Sequence, residues 1–192
     1  MTRRARLFVV SGPSGVGKGT LVARVRDRLP ELGLTVSATT RKPRPGETDG
    51  VSYYFLDADE FDRRVEAGEF LEWAWVHGER YGTLRSEVDR WVLDGHSVVL
   101  EIDVQGGMSV RKAYPDAVLV FVEPPSDEEL ERRLRGRATE DEDQVALRLS
   151  DAQVEMELAD AYDEIIVDDD LEEATRELTR IIQTYESDGG PF

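Results

Sequence analysis

The chain contains several short, nearly uninterrupted hydrophobic runs that are rich in Val, Ile and Leu. They lie at residues 6–11, 97–102, 117–123 and 164–167. Such runs are typical of strands that are buried on both faces of a sheet. Other stretches repeat hydrophobic residues at helical spacing, and helices are predicted at residues 84–94, 127–135 and 171–185. Buried strands that alternate with amphipathic helices predict an α/β fold, in which a parallel sheet is covered on both faces.

Residues 34–83 interrupt this alternation. Strand patterns are predicted here at residues 34–38, 51–56 and 70–76. They flank one short helix, for which Asp57 and Glu60 have the spacing of a capping box. The stretch therefore predicts a small mixed-sheet lobe that is inserted after the first strand and helix of the core.

Residues 132–148 form a second interruption, with closely spaced arginines and an acidic turn at residues 140–143, within a lid expected at about residues 126–154. A segment of this kind suits a helical lid better than an element of the core. A length of 192 residues suits one domain with such insertions. Residues 1–192 are therefore predicted to be a single domain, whose core comprises about residues 4–33, 84–125 and 155–186.

The charge of the chain limits its partners. Lys and Arg number 24 against 41 Asp and Glu, which gives a formal net charge of −17. This sign argues against a broad surface for nucleic acid or for an anionic membrane, so an anionic ligand would need a local basic cluster. The chain lacks cysteine, the apolar core of a signal peptide and any hydrophobic run near 18 residues, so a soluble cytoplasmic protein is expected.

Residues 12–20 read GPSGVGKGT and follow the first hydrophobic run directly. In such a loop the glycines let consecutive backbone N–H groups converge on one anion, and the start of the following helix adds partial positive charge. Lys18 would reach the outer phosphates, so a phosphate-binding loop is favoured over a plain glycine turn. Ser or Thr usually follows the lysine directly, whereas here Gly19 does and the hydroxyl comes one place later. The predicted contacts are Gly12, Pro13, Ser14, Gly15, Val16, Gly17, Lys18, Gly19 and Thr20.

A second anion site is predicted from Arg41 and Arg44, which lie three residues apart around two prolines. The prolines hold the chain extended and reduce the entropy lost when both guanidinium groups are presented together. Two forked cations that converge on one point suit a phosphate monoester. Hydroxyl donors could come from Ser37, Tyr53 and Tyr81. The alternative is a solvated arginine pair in an exposed loop.

Glu101 and Asp103 come at the end of the second hydrophobic run. Carboxylates at this end of a strand, close to a phosphate loop, usually act on Mg²⁺ or on its water ligands. The alternative for Asp103 is to cap a helix predicted at residues 104–113, and the two roles are compatible.

Several motifs together resemble the guanylate kinase family, whose members transfer a phosphoryl group from ATP to GMP. The resemblance runs from about residue 6 to residue 185. It rests on GPSGVGKGT, SATTRKPRPGE with DGVSYYF, FLEWAWVHGERYGT, VVLEIDVQG, RRLRGR and IIVDDDL. It implies a three-layer P-loop core, a GMP-binding lobe and a lid, with ATP and GMP as substrates, Mg²⁺ as cofactor and a place in purine nucleotide metabolism. Monomer and homodimer both stay open.

The resemblance implies a role for each matching residue. The GMP phosphate would be held by Ser37, Arg41, Arg44, Tyr53 and Tyr81. Guanine would face Glu72, Thr83 and Asp103. The catalytic residues would be Lys18, Arg41, Arg44 and the lid arginines Arg133, Arg137 and Arg148. Mg²⁺ would bind Thr20 and, through water, Asp103, while ATP would also contact Asp168.

The chemistry of guanine supports the role of Glu72. Guanine presents N1–H and an exocyclic amine on one edge, and one carboxylate can accept from both donors. Thr83 can donate to O6, whereas adenine has no proton at N1 and an amine in place of O6. A site whose buried groups are left unpaired by the wrong base discriminates by about 10⁴ in favourable cases. Without the resemblance, Glu72 would be interpreted as an ordinary glutamate on a strand surface.

Two other functions remain as alternatives. A catalytically inactive module with this fold could bind phosphopeptides, but the intact Lys18 argues against it. A kinase of the same architecture could act on another acceptor, such as a ribose phosphate, but Glu72 with Thr83 favours a guanine base. Donor selectivity stays open, because this chain has Asp168 where the family often has asparagine, and a carboxylate accepts hydrogen bonds but cannot donate them.

Overall fold

A five-stranded parallel sheet and a four-stranded mixed sheet organise the fold. The computed structural model describes residues 4–76, 78–136 and 142–187, except for the side chains of residues 142–144. The strands are β1 (Leu7–Ser11), β2 (Gly33–Leu34), β3 (Ala38–Thr39), β4 (Tyr54–Phe55), β5 (Phe70–Val76), β6 (Glu79–Leu84), β7 (Val98–Glu101), β8 (Val118–Glu123) and β9 (Glu164–Val167). The helices are α1 (Lys18–Arg28), α2 (Ala58–Glu66), α3 (Arg85–Leu93), α4 (Val104–Ala113), α5 (Asp127–Arg135), α6 (Glu142–Met156) and α7 (Leu171–Glu186). Within these ranges, no helix combines the length and hydrophobicity that crossing a membrane requires.

The large sheet has the strand order β2–β7–β1–β8–β9, and its described pairs are parallel. Four of its strands, β1, β7, β8 and β9, arise from the four hydrophobic runs of the sequence. The predicted parallel sheet is therefore confirmed. Parallel neighbours need crossover connections, and the helices that make these connections cover the sheet.

Consecutive residues of β1 point to opposite faces of the large sheet, and both faces are buried. Phe8 and Val10 pack on one face with hydrophobic residues of α1 and α7. Leu7 and Val9 pack on the other face with hydrophobic residues of α3 and α4. Because neither face of the strand meets water, its sequence lacks polar alternation. The core thus has the three layers that were predicted.

The small sheet has the order β4–β3–β6–β5 and a core of its own. Strands β5 and β6 form an antiparallel hairpin, while β3 pairs antiparallel with β6 and parallel with β4. Ala38, Phe61, Phe70 and Leu84 form the buried core beneath it. Phe61 comes from α2 and stacks on Phe70 with ring centroids 4.5 Å apart, so α2 closes this core. The predicted mixed sheet is confirmed.

The strand predicted at residues 34–38 is wrong, because this stretch is divided between the two sheets. Leu34 pairs with Val99 in the large sheet, whereas Ala38 begins β3 of the small sheet. Both ends of the stretch are at least partly buried, so its hydrophobic pattern does not show where the chain leaves one sheet for the other.

Two further strand predictions in this region need correction. The strand predicted at residues 51–56 is reduced to β4, because the chain turns at Gly50, which has a φ of +72°, and Val51 is exposed. Strand β6 was not predicted, because its sequence ERYGTL has no hydrophobic alternation. It is held instead by pairing with β5 on one side and β3 on the other.

Helices α5 and α6 pack against each other through a small hydrophobic cluster. Its buried members are Leu130, Leu134, Val145 and Ala152. Helix α5 has the predicted bounds, and Ser126 caps it by accepting the N–H of Glu129. Arg137, which the resemblance assigns to the lid, lies outside the described residues.

A substitution at Gly12 tests how closely the chain after β1 packs on β8. Gly12 has a φ of +148°, and a Cβ there would lie 2.2 Å from the carbonyl oxygen of Val122. Gly12→Ala is expected to lower the free energy of unfolding by about 2–5 kcal/mol, because it adds a backbone penalty to a steric clash. Urea unfolding measures this loss.

Gly95→Ala is the matched control for this prediction. Gly95 also has a positive φ, of +80°, but a Cβ there would have no described atom within 4 Å. The expected loss is about 1–2 kcal/mol, from the backbone alone. Equal losses in the two variants would contradict the role given to the contact with Val122.

Candidate functional site

The loop between β1 and α1 presents backbone N–H groups at the carboxyl end of the large sheet. Helix α1 begins at Lys18, and its N-cap Gly17 has a φ of +116°. No side chain of the described residues caps this helix start, which leaves it suited to an external anion. Lys18 Nζ folds back over the loop and donates to the carbonyl oxygens of Gly12 at 2.6 Å and Pro13 at 3.1 Å.

A cavity extends from this loop to the small sheet and encloses about 830 Å³, its open mouth included. Its walls bring together residues that were predicted to contact GMP and residues of the phosphate loop. These are Gly12, Ser14, Lys18, Ser37, Tyr53, Glu72, Tyr81 and Asp103. Glu101 and Glu155 also line it, and no site role was predicted for Glu155. We call this space the central cavity.

Glu72 lines the central cavity and is paired with Thr83 across the β5–β6 hairpin. The two residues are 6% and 0% exposed. Among the described residues, neither Glu72 Oε1 nor Thr83 Oγ1 has a hydrogen-bond partner. Burial raises the pKa of Glu72 to about 7; the side chain and backbone of Thr83 act in the opposite direction, and the charge of Asp103 adds to the rise. Such groups carry a free-energy cost that a ligand with matching donors and acceptors can remove.

Arg41 is held beside the central cavity by Glu47 and by the ring of Tyr53. Arg41 Nη2 lies 2.8 Å from Glu47 Oε1, and the guanidinium carbon lies 5.3 Å from the centre of the Tyr53 ring. Glu47 Oε2 also accepts the backbone N–H of Arg44 at 2.7 Å. The Arg41 guanidinium and this N–H lower the pKa of Glu47, so the carboxylate stays charged.

The two arginines differ in their distance from the central cavity. Arg41 contacts Tyr53, which is a wall residue, whereas Arg44 is exposed. Neither arginine is among the described residues that line the cavity. The structure therefore places Arg41 next to the predicted phosphate site and leaves the side chain of Arg44 at the surface.

A second cavity adjoins the phosphate loop. It is lined by Gly15, Gly17, Thr20, Arg132, Arg133, Gly136, Asp168, Asp169 and Leu171. Arg133 Nη1 donates to the carbonyl oxygen of Val16 at 2.6 Å and to Asp168 Oδ2 at 2.9 Å, and Nη2 donates to the Asp168 carbonyl at 2.8 Å. One arginine thus ties α5 to the loop and to the residue that follows β9.

Arg148 brings α6 to the same loop. Its Nη1 lies 3.2 Å from Ser14 Oγ. Arg133 and Arg148 therefore both reach the loop, as two of the three arginines that the resemblance assigns to the lid. The third, Arg137, is not described by the structure.

The residues predicted to hold a metal lie in different surroundings. Asp103 caps α4, where its Oδ1 accepts the N–H of Gly106 at 2.7 Å, so the capping alternative is confirmed. Asp103 lines the central cavity, whereas Thr20 lines the second cavity. A Cβ at position 19 would lie 3.3–3.4 Å from the Glu101 carboxylate, so a serine there would sit close to this side chain.

Known proteins resemble this chain over almost its whole length. A model of the guanylate kinase family matches residues 4–185. The chain belongs to the guanylate kinase family. It is 52% identical over 176 residues to a guanylate kinase of Synechococcus sp. (strain CC9311), which covers 92% of this chain and 93% of that relative. It is 49% identical over 189 residues to a guanylate kinase of Rubrobacter xylanophilus, with coverage of 98% and 99%.

The fold of this family member also resembles a solved guanylate kinase. The crystal structure of guanylate kinase from Anaplasma phagocytophilum superposes with a TM-score of 0.79. That comparison covers 97% of this chain and 88% of the other, at 32% sequence identity. The family resemblance drawn from the motifs and the α/β fold predicted from the sequence are both confirmed.

Two carboxylates near the site were not predicted. Glu47 ends the motif RKPRPGE, three residues after Arg44, and its closeness to two arginines in sequence was the available signal. Glu155 lies seven residues after Arg148, which places it on the same face of α6. That spacing becomes a signal only when the helix is known to continue past residue 148.

The raised pKa of Glu72 predicts a pH dependence of stability. The pKa is about 7 in the folded protein against 4.5 for an ordinary glutamate. Between these values the folded protein binds the proton that the unfolded chain has released. Stability is therefore expected to fall as pH rises from 4.5 to 8, by about 3 kcal/mol from this group. Urea unfolding of the wild type and of Glu72→Gln across this range measures it.

The variant isolates the contribution of Glu72, because other groups cancel in the comparison. The free energy of unfolding of Glu72→Gln minus that of the wild type should become more positive with rising pH. Glu66→Gln, an exposed glutamate at the end of α2, should show no such trend. If the difference in free energy of unfolding between Glu72→Gln and the wild type does not change with pH, burial does not raise the pKa of Glu72.

Proposed function

We propose that this chain is a guanylate kinase, which transfers the γ-phosphoryl group of ATP to GMP, and also to dGMP, with ADP as the second product. The observation that carries the proposal is the buried pair of Glu72 and Thr83, in which Glu72 Oε1 and Thr83 Oγ1 lack hydrogen-bond partners among the described residues, with Glu72 in the wall of the central cavity. Membership of the family supports the reaction. This phosphoryl transfer would belong to purine nucleotide metabolism in the cytoplasm, where both substrates occur.

Guanine recognition rests on the two unpaired groups. The Glu72 carboxylate would accept N1–H and the exocyclic amine, and the Thr83 hydroxyl would donate to O6. Asp103 lies close to Glu72, because a Cβ on Gly106 would lie 2.9 Å from Glu72 Oε2 and 3.1 Å from Asp103 Oδ1. Adenine offers the wrong donor and acceptor at both positions and would leave the buried oxygens unpaired, which is the most effective basis for discrimination.

The phosphate of GMP would be met by Arg41, Arg44 and the three hydroxyl groups of Ser37, Tyr53 and Tyr81. Ser37, Tyr53 and Tyr81 line the central cavity, and Arg41 stacks beside Tyr53. Glu47 keeps the Arg41 guanidinium in one orientation. Because this guanidinium is already oriented, it loses less entropy when a phosphate replaces some of its hydrogen bonds.

The donor phosphates would be held by the loop of residues 12–20 and by Lys18. Phosphoryl transfer needs the two substrates in line and their charge offset, and no nucleophilic side chain. Arg133 and Arg148 already reach the loop, and Arg137 would join them over the γ-phosphate. Asp168 would contact ATP beside Arg133, where its carboxylate can accept from the amine of adenine.

A magnesium ion would arrive with ATP and be held mainly by its phosphates, because Thr20 and Asp103 line different cavities. The described residues contain no group of three or more His, Cys, Asp or Glu side chains that could hold a metal ion by themselves. Mg²⁺ usually keeps several waters and binds substrate phosphates with one or two protein groups, here Thr20 and, through water, Asp103. When bound, the ion would offset the negative charge of the β- and γ-phosphates.

The division of the chain follows from these roles. Residues 34–83 would form the GMP-binding lobe, and residues 126–154 would form a lid on the core. Closure of both over the bound nucleotides would exclude water that could otherwise hydrolyse ATP. A ribose phosphate acceptor would leave Glu72 and Thr83 unpaired, and an inactive phosphopeptide-binding module would have no use for Lys18.

Turnover of different acceptors with ATP tests the proposal. GMP and dGMP should be phosphorylated, IMP less well because it lacks the exocyclic amine, and AMP and UMP about 10³–10⁴-fold less efficiently. Glu72→Gln should weaken GMP binding by about 10–100-fold, because the amide presents a donor to N1–H or to the amine. Glu66→Gln is the matched control and should bind GMP normally. Turnover of AMP or UMP at a rate close to that of GMP would refute the guanine assignment.

Removal of the charge of Lys18 tests the donor site. Lys18→Met should lower kcat by about 10²–10³-fold or more, because an ammonium group no longer offsets charge on the transferring phosphate. Its dissociation constant for GMP, measured by calorimetry, should change less than about 3-fold. Lys112→Met, at an exposed position near the end of α4, is the control and should keep full turnover. Near-normal turnover of Lys18→Met would contradict the role of this lysine.

A further inference from the structure

Helix α6 presents one charged face to the phosphate loop. Arg148, Asp151 and Glu155 are spaced by three and four residues, which places them side by side on the helix. All three line a cleft to which Ser14 and Asp103 also contribute. Arg148 reaches the loop directly through Ser14 Oγ. One helix therefore carries a cation and two carboxylates to the place where phosphates would bind.

Glu155 alone of these three also lines the central cavity, where Lys18 and Ser14 are its neighbours. Burial raises the pKa of Glu155 to about 7, while the Lys18 ammonium and the backbone N–H of Ser14 act in the opposite direction. Asp103 and Asp151 add to the rise. The carboxylate therefore lies within the field of the phosphate loop and interacts with the same lysine that was assigned to the donor phosphates.

We infer that Glu155 is a gate for the donor nucleotide: its carboxylate lies beside Lys18 and the backbone of Ser14, where the donor phosphates bind, and must withdraw before they enter. The inference rests on the proposed function only in taking the donor to be a nucleoside triphosphate. In the unliganded protein this carboxylate offsets part of the loop's positive charge, and it repels an approaching phosphate.

The gate lowers the apparent affinity for the donor. A donor binds tightly only to conformations in which α6 has moved Glu155 away, so its measured affinity falls in proportion to the fraction of such conformations. Arg148 on the same face has the opposite preference, because its guanidinium is attracted by phosphate. The two side chains reach Ser14 from backbone positions seven residues apart, about 10 Å along the axis, so a tilt of α6 can bring one toward the loop while the other withdraws.

The test is the affinity of Glu155→Gln for ATP in the absence of GMP. Glutamine keeps the size of the side chain and removes its charge, and a pH of 8 keeps the wild-type carboxylate ionised. The dissociation constant measured by calorimetry is expected to fall about 5-fold or more. Glu157→Gln, an exposed position two residues further along, is the matched control and should stay within 2-fold of the wild type.

Inorganic tripolyphosphate is the second probe, because it has no base or sugar. If Glu155 acts on the phosphate groups, Glu155→Gln should gain as much affinity for tripolyphosphate as for ATP. Unchanged or weaker binding of both probes by a Glu155→Gln variant that melts like Glu157→Gln would overturn the inference. Neither probe requires GMP, so a failure of the proposed acceptor, seen as absent GMP turnover by the wild type, is distinguished from a failure of the gate.

Discussion

The close contact between the phosphate loop and β8 is the constraint on which the site depends. At Gly12 the loop passes so near to the carbonyl oxygen of Val122 that no side chain fits between them. This contact fixes the loop where β1 lies between β7 and β8, the point at which the sheet's connections diverge. In open α/β sheets, ligands bind in the crevice beyond the carboxyl ends of the strands at such a point. Glu101 at the end of β7 and Asp168 directly after β9 come to the same edge for the same reason.

Cations of the site are engaged by the protein itself before any substrate arrives. Lys18 donates to two loop carbonyls, Arg41 pairs with Glu47, and Arg133 pairs with Asp168. In a chain with a net charge of −17, these local pairs keep the guanidinium groups oriented and the surrounding potential balanced. An anionic substrate therefore exchanges partners with the protein, and its binding free energy is the difference between two sets of charge-assisted hydrogen bonds.

The sequence was most informative where one structural requirement acted alone. The runs that became β1, β7 and β8 are buried almost throughout, so composition was sufficient to find them. The run at residues 164–167 also became a strand, but the expectation that both of its faces are buried is wrong, because β9 lies at the edge of the sheet and exposes Ile165 and Val167. Strand β6 and the division near Leu34 depend on which partner strand is nearby, which a linear pattern does not contain. The burial of Glu72 and its position opposite Thr83 likewise arise only when the hairpin forms.

The division of the chain near Leu34 has a consequence for how acceptor specificity can change. The chain leaves the large sheet after Leu34 and rejoins the core through α3, whose Val88 packs in the hydrophobic cluster on one face of that sheet. The β5–β6 hairpin between these two points contributes Phe70 to the core of the small sheet, but Leu71 of β5 packs into the core of the large sheet. An exchange of residues 34–84 between relatives would therefore move Glu72 and Thr83 together, and it would have to preserve the packing of position 71 on the core of the large sheet.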